Sequence, residues 1–311
     1  MGVFDGHSDM LYDAARRRLV GERRVLERRH LLQLRAGSVE GVVLSLWAHP
    51  EEGETYTLKT NQQLQALAAE AAESPWLQLV RTAAEAEQAK KEGKIYAFLG
   101  VEGMAAIGDD ISGIDRYADR GARMGMLTWN EENLLATGAG GDPYAGLTAA
   151  GKQAVRRMQQ RGMLVDVSHL NDGGFADVMK QTDAPVIASH SNCRALCDVR
   201  RNLTDDQLRA IRDTGGVVGV NVYHNFVHSD KRYQTAEMLA RHACRMAEIM
   251  GVEHVACGFD FCEYFDPEAT GAEGLEDSSQ IHNFFYWLER HGMNAQEREM
   301  IARENFLRLL A

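Results

Sequence analysis

Residues 94–102 read KIYAFLGVE: an apolar run without polar alternation that stops on a carboxylate. A strand with one wet face would alternate, so this one is expected to be buried on both faces, as in a parallel sheet. The same texture recurs along the chain at MGVFDGH (1–7), GVVLSLWAH (41–49), ARMGMLTWN (122–130), GMLVDVSH (162–169), APVIASH (184–190), GGVVGVNVYH (215–224) and EHVACGFDF (253–261). Between these runs lie amphipathic stretches such as 61–73, 149–162, 203–216 and 233–251. The third carries Thr204 as an N-cap, acids in the first turn and Gly215 past its end. Eight strand candidates alternating with helices predict an α/β fold of the (β/α)8, TIM-like barrel type, in a single domain over 1–311. A doubly wound open sheet is the competing architecture. It lacks a GxGxxG after a strand, and GAGGDP (138–143) reads better as a loop turn.

The chain is long enough for a substantial core, with 45% apolar and 25% charged residues. Its net charge of -11 argues against a nucleic-acid binder, which needs a basic face. The five cysteines follow no CxxC spacing and are expected to be free thiols of a reducing compartment. No apolar stretch approaches the roughly 18–20 residues that span a bilayer, and no signal peptide is apparent, so the reading is cytoplasmic with no membrane partner.

In a barrel of parallel strands the C-terminal strand ends meet at one mouth, where active sites of this architecture lie. Those ends carry His7 and Asp9 (first run), Glu102 (third), His169 (fifth), His190 (sixth) and Asp260 (eighth). So many acids and imidazoles packed together would be costly to desolvate unless a divalent metal relieved the charge. His7 and Asp9 are two apart and would share a strand face, addressing one ion. His169 and His190 end consecutive strands and would address a second. Glu102 is placed to bridge. A His and carboxylate set without thiolate is that of a zinc hydrolase, with manganese or cobalt as possible substitutes.

Ordered along the chain are DGHSDM (5–10), GVEG (100–103), VDVSH (165–169), ASHSNCRALCDVRRNLTDDQL (188–208), GFDF (258–261), GLEDSSQ (274–280) and ENFLRLL (304–310). In this set the chain resembles the membrane (renal-type) dipeptidase family, metallopeptidases of the amidohydrolase-like barrel group. The resemblance implies a binuclear zinc dipeptidase with His7 and Asp9 on one metal, His169 and His190 on the other and Glu102 bridging. It implies Asp260 as catalytic acid/base, Arg201 as receptor of the substrate carboxylate and Tyr223 in the substrate pocket. Trp129 stands where renal-type members carry a histidine that contacts substrate, with Asn130 beside it. An indole N–H or an amide could donate a hydrogen bond there, but neither can act as imidazolium. The expected nucleophile is a metal-bridging hydroxide, since two ions about 3.5 Å apart lower the pKa of a shared water. Dipeptides of the L-Xaa-D-Xaa type are expected substrates, and a homodimer is compatible with the family. Asp260 as a further ligand or a structural acid stays open. A related barrel amidohydrolase acting on N-acyl amino acids, cyclic amides or lactones is the rival activity, although such enzymes use H-x-H and a carboxylated lysine where this chain has H-x-D and Glu102. A dipeptide-binding barrel without chemistry is the rival of another class.

Overall fold

A computed structural model describes residues 1–265 and 270–310. Each of the eight apolar runs overlaps a strand: β1 (Val3–Ser8), β2 (Val39–Trp47), β4 (Ile95–Glu102), β5 (Ala122–Met126), β6 (Leu164–Asp166), β7 (Val186–Ile187), β8 (Val218–Val220) and β9 (Val255–Cys257). Sequence reading missed β3 (Leu77–Leu79), a short strand whose residues carry no distinctive pattern. All pairings are parallel and run β1-β2-β4-β5-β6-β7, with β8 and β9 paired to each other. β3 fits because β4 divides one edge: Leu77–Leu79 lie opposite Ile95–Ala97, and β5 takes Leu99–Glu102.

Two junctions turn the curled sheet into a ring. A parallel bridge between Ala188 and Val218 joins β7 to β8. Between β9 and β1 the Phe259 N–H donates to Asp5 Oδ1 at 2.8 Å. The short β7–β9 ladders bring backbones very close around the Ser189 carbonyl. A Cβ on Gly219 would sit 2.0 Å from that oxygen, and one on Gly258 1.6 Å away. Only glycine fits at either place.

Period-two alternation separates two apolar layers. Val42, Leu44, Leu46, Ala97, Leu99 and Val101 face the surrounding helices. Phe4, Val43, Phe98, Met124, Ile187 and Ala256 fill the barrel interior, with Phe306 and Leu310 of the C-terminal helical segment packed against them. The helices follow the expected signals. Thr204 and Gln207 form a reciprocal capping box, and Gly215 adopts φ +81° after that helix. The helices Tyr56–Glu73 and Ala236–Met250 start at Thr55 and Thr235, whose side chains accept from Leu58 and Met238 N–H. The five cysteines are free, and no described helix is long and apolar enough to cross a membrane.

The closing bond at Asp5 yields a stability prediction. Asp5→Ala strands the buried Phe259 N–H and should cost about 1–3 kcal/mol in denaturant unfolding, whereas Asp5→Asn keeps an acceptor. Burial pushes the Asp5 carboxyl up to about 7. Its folded pKa exceeds its unfolded one, so the native state binds more protons, and Asp5 lowers stability progressively as pH rises from about 4 to about 7. In metal-stripped protein the advantage of Asp5→Asn over wild type should therefore be greater at pH 8 than at pH 5.

Candidate active site

Glu102, the last residue of β4, is 3% exposed and divides its carboxylate between two groups. Oε2 lies 3.0 Å from His7 Nε2, and Oε1 lies 2.8 Å from His169 Nε2 and 3.7 Å from His190 Nε2. The two histidines meet at 2.8 Å, Nε2 to Nε2. Asp9 Oδ1 and Asp260 Oδ1 stand 3.8 and 3.9 Å from His7 Nε2. The six ionisable residues expected at the mouth are thus brought together.

The backbone reaches this arrangement differently from the sequence expectation. Strand alternation does not put His7 and Asp9 on one face. β1 pairs Asp5 with Val42 but Ser8 with Leu44, one residue more on β1 than on β2. That bulge re-aims His7 from the helix-facing side occupied by Asp5 to the interior side, where Ser45 Oγ meets its Nδ1 at 3.2 Å. Asp9 lies past the strand, at the start of the helix Met10–Leu19 with φ −94° and ψ 17°. His169, His190 and Asp260 each lie three residues beyond the end of their strand. His169 (φ +71°) and Asp260 (φ +60°) occupy the left-handed region, uncommon for residues other than glycine, although aspartate and histidine enter it more readily than most, and a recurrent mark of functional positions.

All three imidazoles have their Nδ1 engaged outside the cluster: His7 with Ser45, His190 with Ser189 Oγ at 2.8 Å, and His169 with Asn130 Oδ1 at 2.9 Å. An amide oxygen only accepts, so His169 carries its proton on Nδ1 and turns the Nε2 lone pair inward. Asn130, read from sequence as a substrate contact, spends its carbonyl on this histidine. Among the described residues Asp9 Oδ1 is buried without a hydrogen-bond partner. Donor atoms of His7, Glu102 and His190, and again those of His7, Asp9 and Asp260, all lie within 4.8 Å of one another. An inward lone pair on His169, a bare carboxylate oxygen and a divided carboxylate form a donor set that fits divalent metal ions.

The electrostatics agree. Burial pushes Glu102 up to about 8, with Asp260 adding repulsion. Burial followed by Glu102 raises Asp9 well above the usual carboxylate range, and burial raises Asp260. Burial likewise drives His169 and His190 well below the usual imidazole range. Without positive charge at its centre the cluster tends to lose its own. Asn221 Nδ2 donates to Asp260 Oδ2 at 3.0 Å, leaving Oδ1 toward His7.

The cluster opens into a cavity of about 360 Å³ lined by the expected Asp9, Glu102, Trp129, Asn130, His169, Arg201, Tyr223 and Asp260. Neighbouring arginines part company here. Arg200 is exposed and donates to Gly141 O, while Arg201 is only 8% exposed. Arg201 Nε and Nη2 are buried without partners among the described residues, and its guanidinium lies 5.4 Å from the Phe226 ring. Trp47, Phe226, Cys262 and Phe265 complete the lining and escaped sequence reading. A search for ionisable strand ends passes over aromatic ones, although Trp47 ends β2 and could have been found by position.

Residues 1–311 match the family model described as membrane dipeptidase, peptidase family M19. A Klebsiella pneumoniae protein encoded in the pqqA 5' region is 33% identical over 243 residues, 75% of this chain and 88% of that one. An uncharacterised dipeptidase of Schizosaccharomyces pombe is 35% identical over 228 residues, 71% of this chain and 53% of its own length. A solved metallopeptidase from Rhodobacter sphaeroides, liganded with a phosphinate mimic of the dipeptide L-Ala-D-Ala, superposes with a TM-score of 0.88. It is 26% identical and covers 100% of this chain and 98% of its own. The chain belongs to the membrane dipeptidase family, peptidase family M19, and is a metal-dependent hydrolase.

Proposed function

We propose that this protein hydrolyses the peptide bond of dipeptides, L-Xaa-D-Xaa substrates included, with two zinc ions that manganese or cobalt can replace. His7 and Asp9 would hold one ion, His169 and His190 the other, with Glu102 between them. The observation that carries this reading is the division of Glu102, one oxygen toward His7 and the other toward His169. The dipeptide mimic bound by the Rhodobacter relative supports the substrate class. When bound, such a metal pair supplies an activated water and polarises the scissile carbonyl.

The remaining work falls to side chains. Arg201 is held in a dry wall with two guanidinium nitrogens that have no hydrogen-bond partner among the described residues, and it receives the substrate's terminal carboxylate. Burial lowers its pKa to about 10, which still leaves it charged at neutral pH. Its demand for an anion favours a substrate whose free carboxylate lies one residue from the scissile bond over a peptide extended at its C-terminus. Asp260 takes a proton from the attacking water and returns it to the leaving amine, with Asn221 fixing one of its oxygens. Tyr223 and Trp129 flank the bound chain.

Metal-replete protein should turn over members of a panel of L-Xaa-L-Xaa and L-Xaa-D-Xaa dipeptides. Failure to cleave any of them would sink the peptidase reading. Asp260→Asn should keep its metal by elemental analysis and lose roughly 10²–10⁴-fold in kcat. Stripping with a chelator should abolish turnover, and zinc should restore it. Because Glu102 and Asp9 are held above the ordinary carboxylate range, zinc binding at pH 7 should release protons. Calorimetry in buffers of different ionisation enthalpy reads that release, and proton uptake on binding would contradict the assignment.

A further inference from the structure

Resting on the dipeptidase reading, we propose that Trp47, Trp129 and Phe265 form a specificity wall that selects an aromatic or large aliphatic side chain at the N-terminal residue of the dipeptide. The Trp47 ring centre lies 5.5 Å from that of Trp129 and 5.9 Å from that of Phe265, and all three rings line the cavity. Tyr12 packs behind, 4.8 Å from Trp47 and 5.3 Å from Phe265, so the wall is braced rather than free to fold away.

Barrel topology says which end of the substrate meets it. Around the ring β1-β2-β4-β5-β6-β7-β8-β9, Trp47 ends the second strand and Arg201 follows the sixth. In an eight-membered ring those places are opposite each other across the mouth. Trp129 follows the fourth strand and Phe265 the eighth, and each reaches Trp47 over the strand between. A dipeptide with its carboxylate on Arg201 and its scissile carbonyl at Glu102 therefore extends its N-terminal residue away from Arg201, into the aromatic side.

The chemistry of that side is selective. Aromatic faces reward apolar side chains through buried area and ring packing, and they offer a carboxylate nothing in exchange for its water. A glycine substrate would leave the space unfilled. Aromatic faces also attract cations, so a lysyl substrate is the informative competitor.

The test compares Phe-Ala, Leu-Ala, Gly-Ala, Lys-Ala and Asp-Ala with metal-replete protein. kcat/KM for Phe-Ala and Leu-Ala should exceed that for Gly-Ala, Lys-Ala and Asp-Ala by about tenfold or more. Trp47→Ala should lower the Phe-Ala to Gly-Ala ratio by about tenfold, chiefly through KM, and Trp47→Phe should retain most of it. Affinities of phosphinate mimics of Phe-Ala and Gly-Ala should shift in parallel, and thermal melts report whether each variant folds. Equal or reversed preference in the wild type, or a Trp47→Ala ratio unchanged in a folded protein, overturns the wall while leaving the dipeptidase reading in place. Absence of turnover with every dipeptide overturns both.

Discussion

Glu102 offers one carboxylate oxygen to His7 and the other to His169, in a place water hardly reaches. Two other carboxylates and a third imidazole crowd the same few ångströms. That concentration of buried ionisable groups is the constraint from which the mouth follows. Each imidazole has a partner behind it, and Asp260 has Asn221, so the groups cannot rotate away from one another. β4 is suited to carry the central group because both its edges are paired along its length, by β2 on one side and by β3 and β5 in succession on the other.

The scaffold and the site use the backbone in opposite ways. The scaffold is regular: alternating faces sort side chains into an interior layer and a helix-facing layer. The site depends on local departures from that regularity. A bulge turns His7 inward, and left-handed residues aim His169 and Asp260. Gly219 and Gly258 let the strands crowd around the Ser189 carbonyl, beside the hydroxyl that orients His190. Rigid ladders bring each strand end to the mouth, and the irregular residue after it decides where the side chain points.

This division explains what could be read from sequence. Runs such as KIYAFLGVE declare a doubly buried strand, so the barrel and the strand-end position of Glu102 were legible. The assembly of His7, Asp9, His169, His190 and Asp260 was legible too, because topology alone delivers them to one end. How His7 and Asp9 converge was not: a bulge depends on pairing with β2, which leaves no periodic trace in β1. β3 was invisible because three residues carry no periodicity. The separation of Arg200 from Arg201 depends on a loop packed on distant backbone, with Asn202 bonded to Cys197 and Phe226 carbonyls. The aromatic wall was overlooked because apolar residues at a strand end look like ordinary core.

The seam between β9 and β1 joins Asp5 to Phe259, 254 residues apart. A ribosome must therefore add 254 residues after Asp5 before β1 meets its closing neighbour. Until then β1 waits with one edge open, and His7 and Asp9 have no Asp260 opposite them. Such long-range closure is slow and comes late in folding. It also means that a nascent chain carries His7, Asp9, Glu102, His169 and His190 well before it carries Asp260. The residue proposed to move the proton is thus the last of the cluster to be made, and it takes its place only when the seam closes.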